Sequence, residues 1–262
     1  MLTSNRGIAA LPFSAFAVAS AFFIAAPAAA QSVANPAEQV DEGSASGFSV
    51  SANTTLASEY RFRGTDLSGG EFAIQGGVDV GLPAGFYVGT WASSLDEQIV
   101  GYGSTELDIY GGWAGEFGNL STDVGVIMYI YPDAGAGDFD YVEFYGSVGA
   151  ALGPAEVTVG IAYAPDQDSL GGTDNFYVYS DVGVGLPGTP ISLTGHVGYT
   201  DGFLTYTTDS EAFDYSIGAE MAVPGTPLAV GAAYVGVEGD GIIDPGGTFT
   251  SDGFVVTLGA SF

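Results

Sequence analysis

Beyond its first fifty residues the chain alternates apolar and polar positions with a period of two. In "TELDIYGGW" Leu107, Ile109, Gly111 and Trp113 alternate with Glu106, Asp108 and Tyr110. In "YVEFYGSV" Val142, Phe144, Gly146 and Val148 alternate with Tyr141, Glu143, Tyr145 and Ser147. Side chains two apart share one face of a strand, so each run predicts a strand with one apolar face and one face of acids, tyrosines and small polar groups. Twelve such runs begin near Phe48, Glu71, Phe86, Thr105, Leu120, Tyr141, Glu156, Asn175, Ile191, Phe213, Leu228 and Gly253. No helical stripe persists beyond a turn or two, and no stretch past residue 30 has the length of apolar sequence that a spanning helix needs.

The connections between runs alternate as well. Short ones fall at 82–85, 116–119, 152–155, 187–190 and 224–227; longer ones span about 64–70, 94–104, 132–140, 165–174, 201–212 and 238–252. Strict alternation puts all short turns at one end of a meander and all long loops at the other. The prediction is an all-β, transmembrane antiparallel up-and-down barrel of twelve strands, with short periplasmic turns and long acidic extracellular loops. The strand acids Glu59, Asp79, Glu106, Asp108, Asp123, Glu143, Glu156, Asp181, Asp214 and Glu220 all fall on the polar face. Charge is costly against hydrocarbon, so these acids are expected to face a lumen. The last run "GFVVTLGASF" carries Phe254, Val256, Leu258, Ala260 and Phe262 on its apolar face. Its terminal aromatic resembles the signal by which outer-membrane barrels are taken up by the assembly machinery.

Charge sharpens the picture. The chain has three basic and 31 acidic residues, no cysteine and a single histidine. Arg6, an apolar run from Ile8 to Ala26 and the small residues Ala28 to Ala30 have the plan of an export signal, expected to be cleaved before Gln31. Residues 31–46 read as a flexible acidic lead-in and 47–262 as the barrel. Without Arg6 the remaining two basic and 31 acidic residues give a formal charge of −29. Nucleic acid is therefore excluded as a partner, and lack of cysteine excludes disulfides and thiolate metal sites.

The two remaining basic residues, Arg61 and Arg63, stand in "SEYRFRG". Period two places Glu59, Arg61 and Arg63 on the lumen face, and Tyr60 and Phe62 at the lipid interface. The stretch "SEYRFRGTDLSGGEFAIQGGVDVGLPAGFYVGTWAS", continued by "ELDIYGGWAGEFGNLSTDVGVIMYIYP", resembles the TorF family of proteobacterial porins. The Tyr60-Arg61-Phe62-Arg63-Gly64 block carries most of the likeness. The resemblance implies an outer-membrane porin without a catalytic set.

Other motifs carry less chemistry. "GVGLPG" at 183–188 has the letters of a dinucleotide fingerprint but precedes a proline turn and a strand instead of a helix N-terminus. His196, with Ser192 or Ser216, allows a lipid hydrolase, yet no nucleophile elbow accompanies it. Asp133, Asp138, Asp140, Asp166 and Asp168 lie in glycine-bearing loops and are weak calcium candidates, none at EF-hand spacing.

The expected function is passive diffusion of small hydrophilic solutes, with cations preferred, through a Gram-negative-type outer membrane. The pore-lining candidates are Arg61, Arg63, Glu59, Asp79, Glu106, Asp108, Asp123, Glu143, Asp181, Asp214 and Glu220. Phe262 is the expected assembly signal, with membrane lipid and the assembly machinery as partners, and no cofactor is expected. A non-conducting structural or adhesin barrel is the alternative.

Overall fold

The computed structural model describes residues 47–137, 139–244, 247 and 249–262. The export signal, the acidic lead-in and Asp138 lie outside these residues. Fourteen strands follow in chain order: β1 (Ser49–Ala57), β2 (Arg61–Phe62), β3 (Thr65–Asp66), β4 (Ala73–Gly81), β5 (Phe86–Ser94), β6 (Thr105–Phe117), β7 (Leu120–Ile130), β8 (Tyr141–Leu152), β9 (Ala155–Gln167), β10 (Thr173–Gly185), β11 (Ile191–Gly202), β12 (Glu211–Ala222), β13 (Leu228–Glu238) and β14 (Gly253–Ser261). Twelve of them, β1 and β4 to β14, form a closed antiparallel barrel in which each strand pairs with its sequence neighbours. β2 and β3 form a separate two-stranded hairpin within the first connection.

Closure is made by β14 on β1, in a register that sets Asn53 against Ser261 and Leu56 against Leu258. Phe262 finishes the seam: its N–H donates to Ala52 O at 2.9 Å, and its carbonyl accepts from Ala52 N at 3.0 Å. A closed ladder leaves no open edge, which is what a sheet needs in a solvent that offers no hydrogen bonds.

The outward face is apolar. Val50, Ile74, Val126, Val148, Ile161, Val197, Ile217, Val256 and Leu258 all stand exposed. Aromatics ring both ends, Phe86, Trp113 and Phe117 near the short turns and Phe72, Phe176, Tyr199, Phe213 and Phe254 near the loops. Two threonine hydroxyls on this face are spent on the backbone, Thr54 Oγ1 donating to Gln75 O at 3.1 Å and Thr90 Oγ1 to Asp108 O at 2.8 Å. An exposed apolar surface of this extent is far beyond a soluble monomer's and suits hydrocarbon between two interfacial girdles.

Two boundaries differ from the sequence reading. The connection expected over 165–174 is shorter, because β9 runs to Gln167 and β10 starts at Thr173. A register shift between Thr173 and Asn175 places one extra residue on β9, so Pro165, which has no N–H to donate, sits in a bulge. Asp166 and Asp174 are therefore strand-end residues. The second correction concerns Tyr60 and Phe62, which do not reach the lipid interface. They are 1% and 6% exposed, inside the barrel.

Candidate functional site

The first connection explains that reversal. β1 stops at Ala57, where Ser58 N donates to Val256 O and Ser58 Oγ accepts from Val256 N, both at 2.9 Å. The chain then turns inward. Arg63 and Gly64, with φ of 46° and 79°, form the two-residue corner between β2 and β3, the backbone that a tight hairpin requires. Only glycine fits at 64. A Cβ there would lie 2.6 Å from Gly236 O and 2.7 Å from Val237 Cβ, both on β13, which β14 separates from β1. Asp66 braces the return, accepting from Ser68 N at 2.9 Å and from Gly70 N at 2.5 Å.

Both arginines are 2% exposed. Arg63 Nη2 donates to both carboxylate oxygens of Glu143 on β8, at 2.6 and 2.8 Å. Its guanidinium lies 4.3 Å from the centroid of Tyr177 on β10 and 4.9 Å from that of Phe62, so aromatic rings hold its flat cation. Arg61 pairs with Glu59 and donates from Nη1 to Ser251 O at 2.7 Å and Gly64 O at 3.2 Å. Glu59 itself stands in the connection after β1, not in the wall.

Around the hairpin the loop end of the barrel interior is filled. Tyr60, Phe62, Leu67, Tyr129, Tyr131 and Tyr141 belong to one buried cluster that extends to Leu170 and Phe249 in the loops. Tyrosine hydroxyls occupy the acids: Tyr60 and Tyr131 donate to Glu106 at 2.6 and 3.1 Å, Tyr129 to Glu143 at 3.3 Å and, nearer the short turns, Tyr110 to Asp79 at 2.6 Å. On the far wall both ring nitrogens of His196 lie against carboxylates, Nδ1 2.6 Å from Asp181 and Nε2 2.8 Å from Asp214. Tyr177 OH donates to Asp214 at 3.1 Å. Neither nitrogen is left to activate Ser192 or Ser216. Asp108 is wholly buried, and neither of its carboxylate oxygens has a hydrogen-bond partner among the described residues.

The turn end is different. Many inward positions there are small and polar, with Ser49, Ser51, Asn53, Ser121, Ser147, Thr158 and Ser192 half-buried, although Asp79 and Tyr87 beside the first short turn are sealed. Asp123 accepts from Tyr87 at 2.6 Å but stays half-buried, as do Glu156 and Asp181. Glu220 is buried on β12.

Of the sequence-chosen residues, the structure brings Arg63 to Glu143, Arg61 to Glu59, and Asp181 and Asp214 to one histidine. Glu106, Asp79 and Asp123 each meet a tyrosine. The calcium candidates do not converge. Asp133 accepts from Ser104 N at 3.0 Å and Oγ at 2.5 Å, Asp140 from Tyr131 N at 2.8 Å, and no group of three acids or histidines placed to hold a metal occurs among the described residues. The hydrogen bonds from Ser104 hold the Asp133 carboxyl below its ordinary pKa. Sequence reasoning missed the tyrosines as partners. Their one signal was that most of them share the polar face, but each lies outside the strand of the acid it bonds, 14 to 46 residues away.

A closed, twelve-stranded barrel with an apolar exterior and a polar, acid-bearing interior is the architecture of outer-membrane porins. The chain belongs to the Gcw_chp family, described as a bacterial protein of unknown function, which it matches over residues 41–262. Comparison with curated proteins by sequence gives no match. Among solved structures the barrel is similar to the NanC porin, with a TM-score of 0.54 and 10% identity over 82% of this chain and 99% of that one. It is also similar to the KdgM porin in complex with disordered oligogalacturonate, with a TM-score of 0.50 and 7% identity over 81% and 97% of the two chains. At these identities the likeness is one of fold.

Proposed function

We propose that this protein is an outer-membrane channel for small solutes, with a preference for cations over anions. One observation carries the reading: every acid within the central wall points inward, while the outward face is an unbroken apolar belt between two aromatic girdles. Such a barrel sits in lipid and offers its acids to whatever enters it. The resemblance of the Tyr60 to Gly64 block to the TorF porins supports the same reading, as does the likeness of fold to NanC and KdgM. Fixed carboxylates raise cation concentration and repel anions within about a Debye length, ~8 Å at physiological salt. Asp123 and Glu156, half-buried at the turn end, are the acids placed to do this, whereas Asp181 is already paired with His196. The two arginines do not offset them, because each is already paired with a glutamate.

A second reading has its own support. The filled loop end favours a barrel that does not conduct and serves a structural role. Planar-bilayer recording of the purified full chain under a salt gradient separates the two. A current whose zero-current potential carries the cation sign is expected, and a silent bilayer under conditions where a known porin conducts supports the structural barrel.

A further inference from the structure

We infer that the first-loop hairpin is a plug closing the loop end of the barrel, and that the Arg63–Glu143 pair is the latch that holds it. The inference rests on the channel reading, since a plug needs a passage to close. The hairpin leaves the wall at β1 and crosses the interior. Gly64 abuts β13, Arg63 is tied to β8 and lies on the ring of Tyr177 in β10, and Tyr60 is tied to β6. It therefore touches walls on opposite sides of the barrel. A second set of bonds straps it to neighbouring loops. Asp66 N donates to Phe249 O at 2.7 Å, Arg61 to Ser251 O at 2.7 Å, and Asp96 N to Leu67 O at 2.9 Å.

The hairpin is fastened without being fully satisfied. Arg63 Nε and Nη1 are buried with no hydrogen-bond partner among the described residues, and so is the Asp108 carboxylate. Buried polar groups left unmade favour any arrangement that lets water reach them. A few strong contacts therefore hold the closed form, while the unmade bonds favour opening. Loss of the latch should release a short, polar-cornered segment that has no covalent tie to the wall besides its own two ends.

Because the chain has no cysteine, a single Thr65→Cys substitution reports on the hairpin alone. Thr65 is 3% exposed, so modification by a membrane-impermeant maleimide should be slow in the otherwise native chain. Adding Arg63→Ala should speed it by at least about tenfold, as loss of one partner of a buried pair shifts a local opening equilibrium. Single-channel conductance should rise severalfold in the same variant. Gly64→Ala makes the tip clash with β13 without altering charge, so it should raise both readouts too. That comparison separates a displaced plug from a changed electrostatic field. Heat-resistant compact migration in electrophoresis reports on the barrel, and Glu143→Gln replaces any variant that fails to fold. Unchanged labelling in variants that fold, or raised labelling with unchanged conductance in a protein that conducts, overturns the inference. Raised labelling with no current from any variant supports the latch and overturns the channel reading instead.

Discussion

Asp123 and Glu143 are inward carboxylates on the adjacent strands β7 and β8, yet they live in different surroundings. Glu143 is 1% exposed and faces Arg63 and Tyr129 in the filled loop end. Asp123, near the turns, accepts one bond from Tyr87 and remains half-buried beside Ser121 and Ser147. The two show that pointing inward does not make an acid available. At the loop end carboxylates are neutralised by a guanidinium, by imidazole or by phenol hydroxyls, and they behave like parts of a protein core. At the turn end Asp79 and Glu220 are buried as well, but Asp123 and Glu156 keep contact with water, where they can act on a passing ion. The interior is a core at the loop end and, around Asp123 and Glu156, a lining at the turn end.

The largest effect should come from unpairing the core end. Glu143→Ala leaves Arg63 buried without its carboxylate and should destabilise the barrel by about 3–5 kcal/mol, read as a lower midpoint of heat- or denaturant-induced unfolding in detergent. Glu156→Ala, on the lining, should change stability by less than about 0.5 kcal/mol. Equal losses at the two sites would erase the distinction.

Next is the exterior, against which both interiors are defined. Val126→Arg puts a charge in the middle of the apolar belt and should cost about 2–4 kcal/mol of folding in bilayers. Ser147→Arg, inward at the turn end, should cost much less. A tolerant Val126 would mean that this face does not meet hydrocarbon.

A smaller effect is expected from Tyr110→Phe, which removes the donor that satisfies buried Asp79. About 1–3 kcal/mol should be lost, read as a lower midpoint of unfolding in detergent. Smallest is the tie between loops at Asp133. Hydrogen bonds from Ser104 lower its pKa, so the tie is fully present above the ordinary carboxylate range and is lost as pH falls through the lowered value. Ser104→Ala should shift that acid limb upward slightly, read as faster proteolysis of residues 95–104 in mild acid.

Much of the barrel was legible because period two is fixed by backbone geometry. Nine of the predicted run starts, Phe48, Phe86, Thr105, Leu120, Tyr141, Glu156, Ile191, Leu228 and Gly253, fall at or within one residue of observed strand starts. The connection at 165–174 misled because Pro165 and its acids look like loop chemistry, whereas a bulge lets the ladder continue past them. The hairpin was hidden for a different reason. Alternation carried through Tyr60 and Phe62 assigns them to lipid only if β1 continues, and nothing local in "SEYRFRG" shows that the strand ends at Ala57. What decides it is distant, with Val256 ending the ladder, Glu143 receiving Arg63 and Gly236 leaving room for Gly64. The phenol partners of the acids were likewise unreadable, since they come from strands as far apart in sequence as Tyr60 and Glu106.

The most direct test of the central claim is the zero-current potential across a planar bilayer bearing the full chain and a KCl gradient, recorded for the native protein and for Gly64→Ala. The account predicts a potential of cation-selective sign in both, with larger currents in the variant because the plug is displaced while the lining acids are untouched. An anion-selective sign, or no current from either protein, would contradict it.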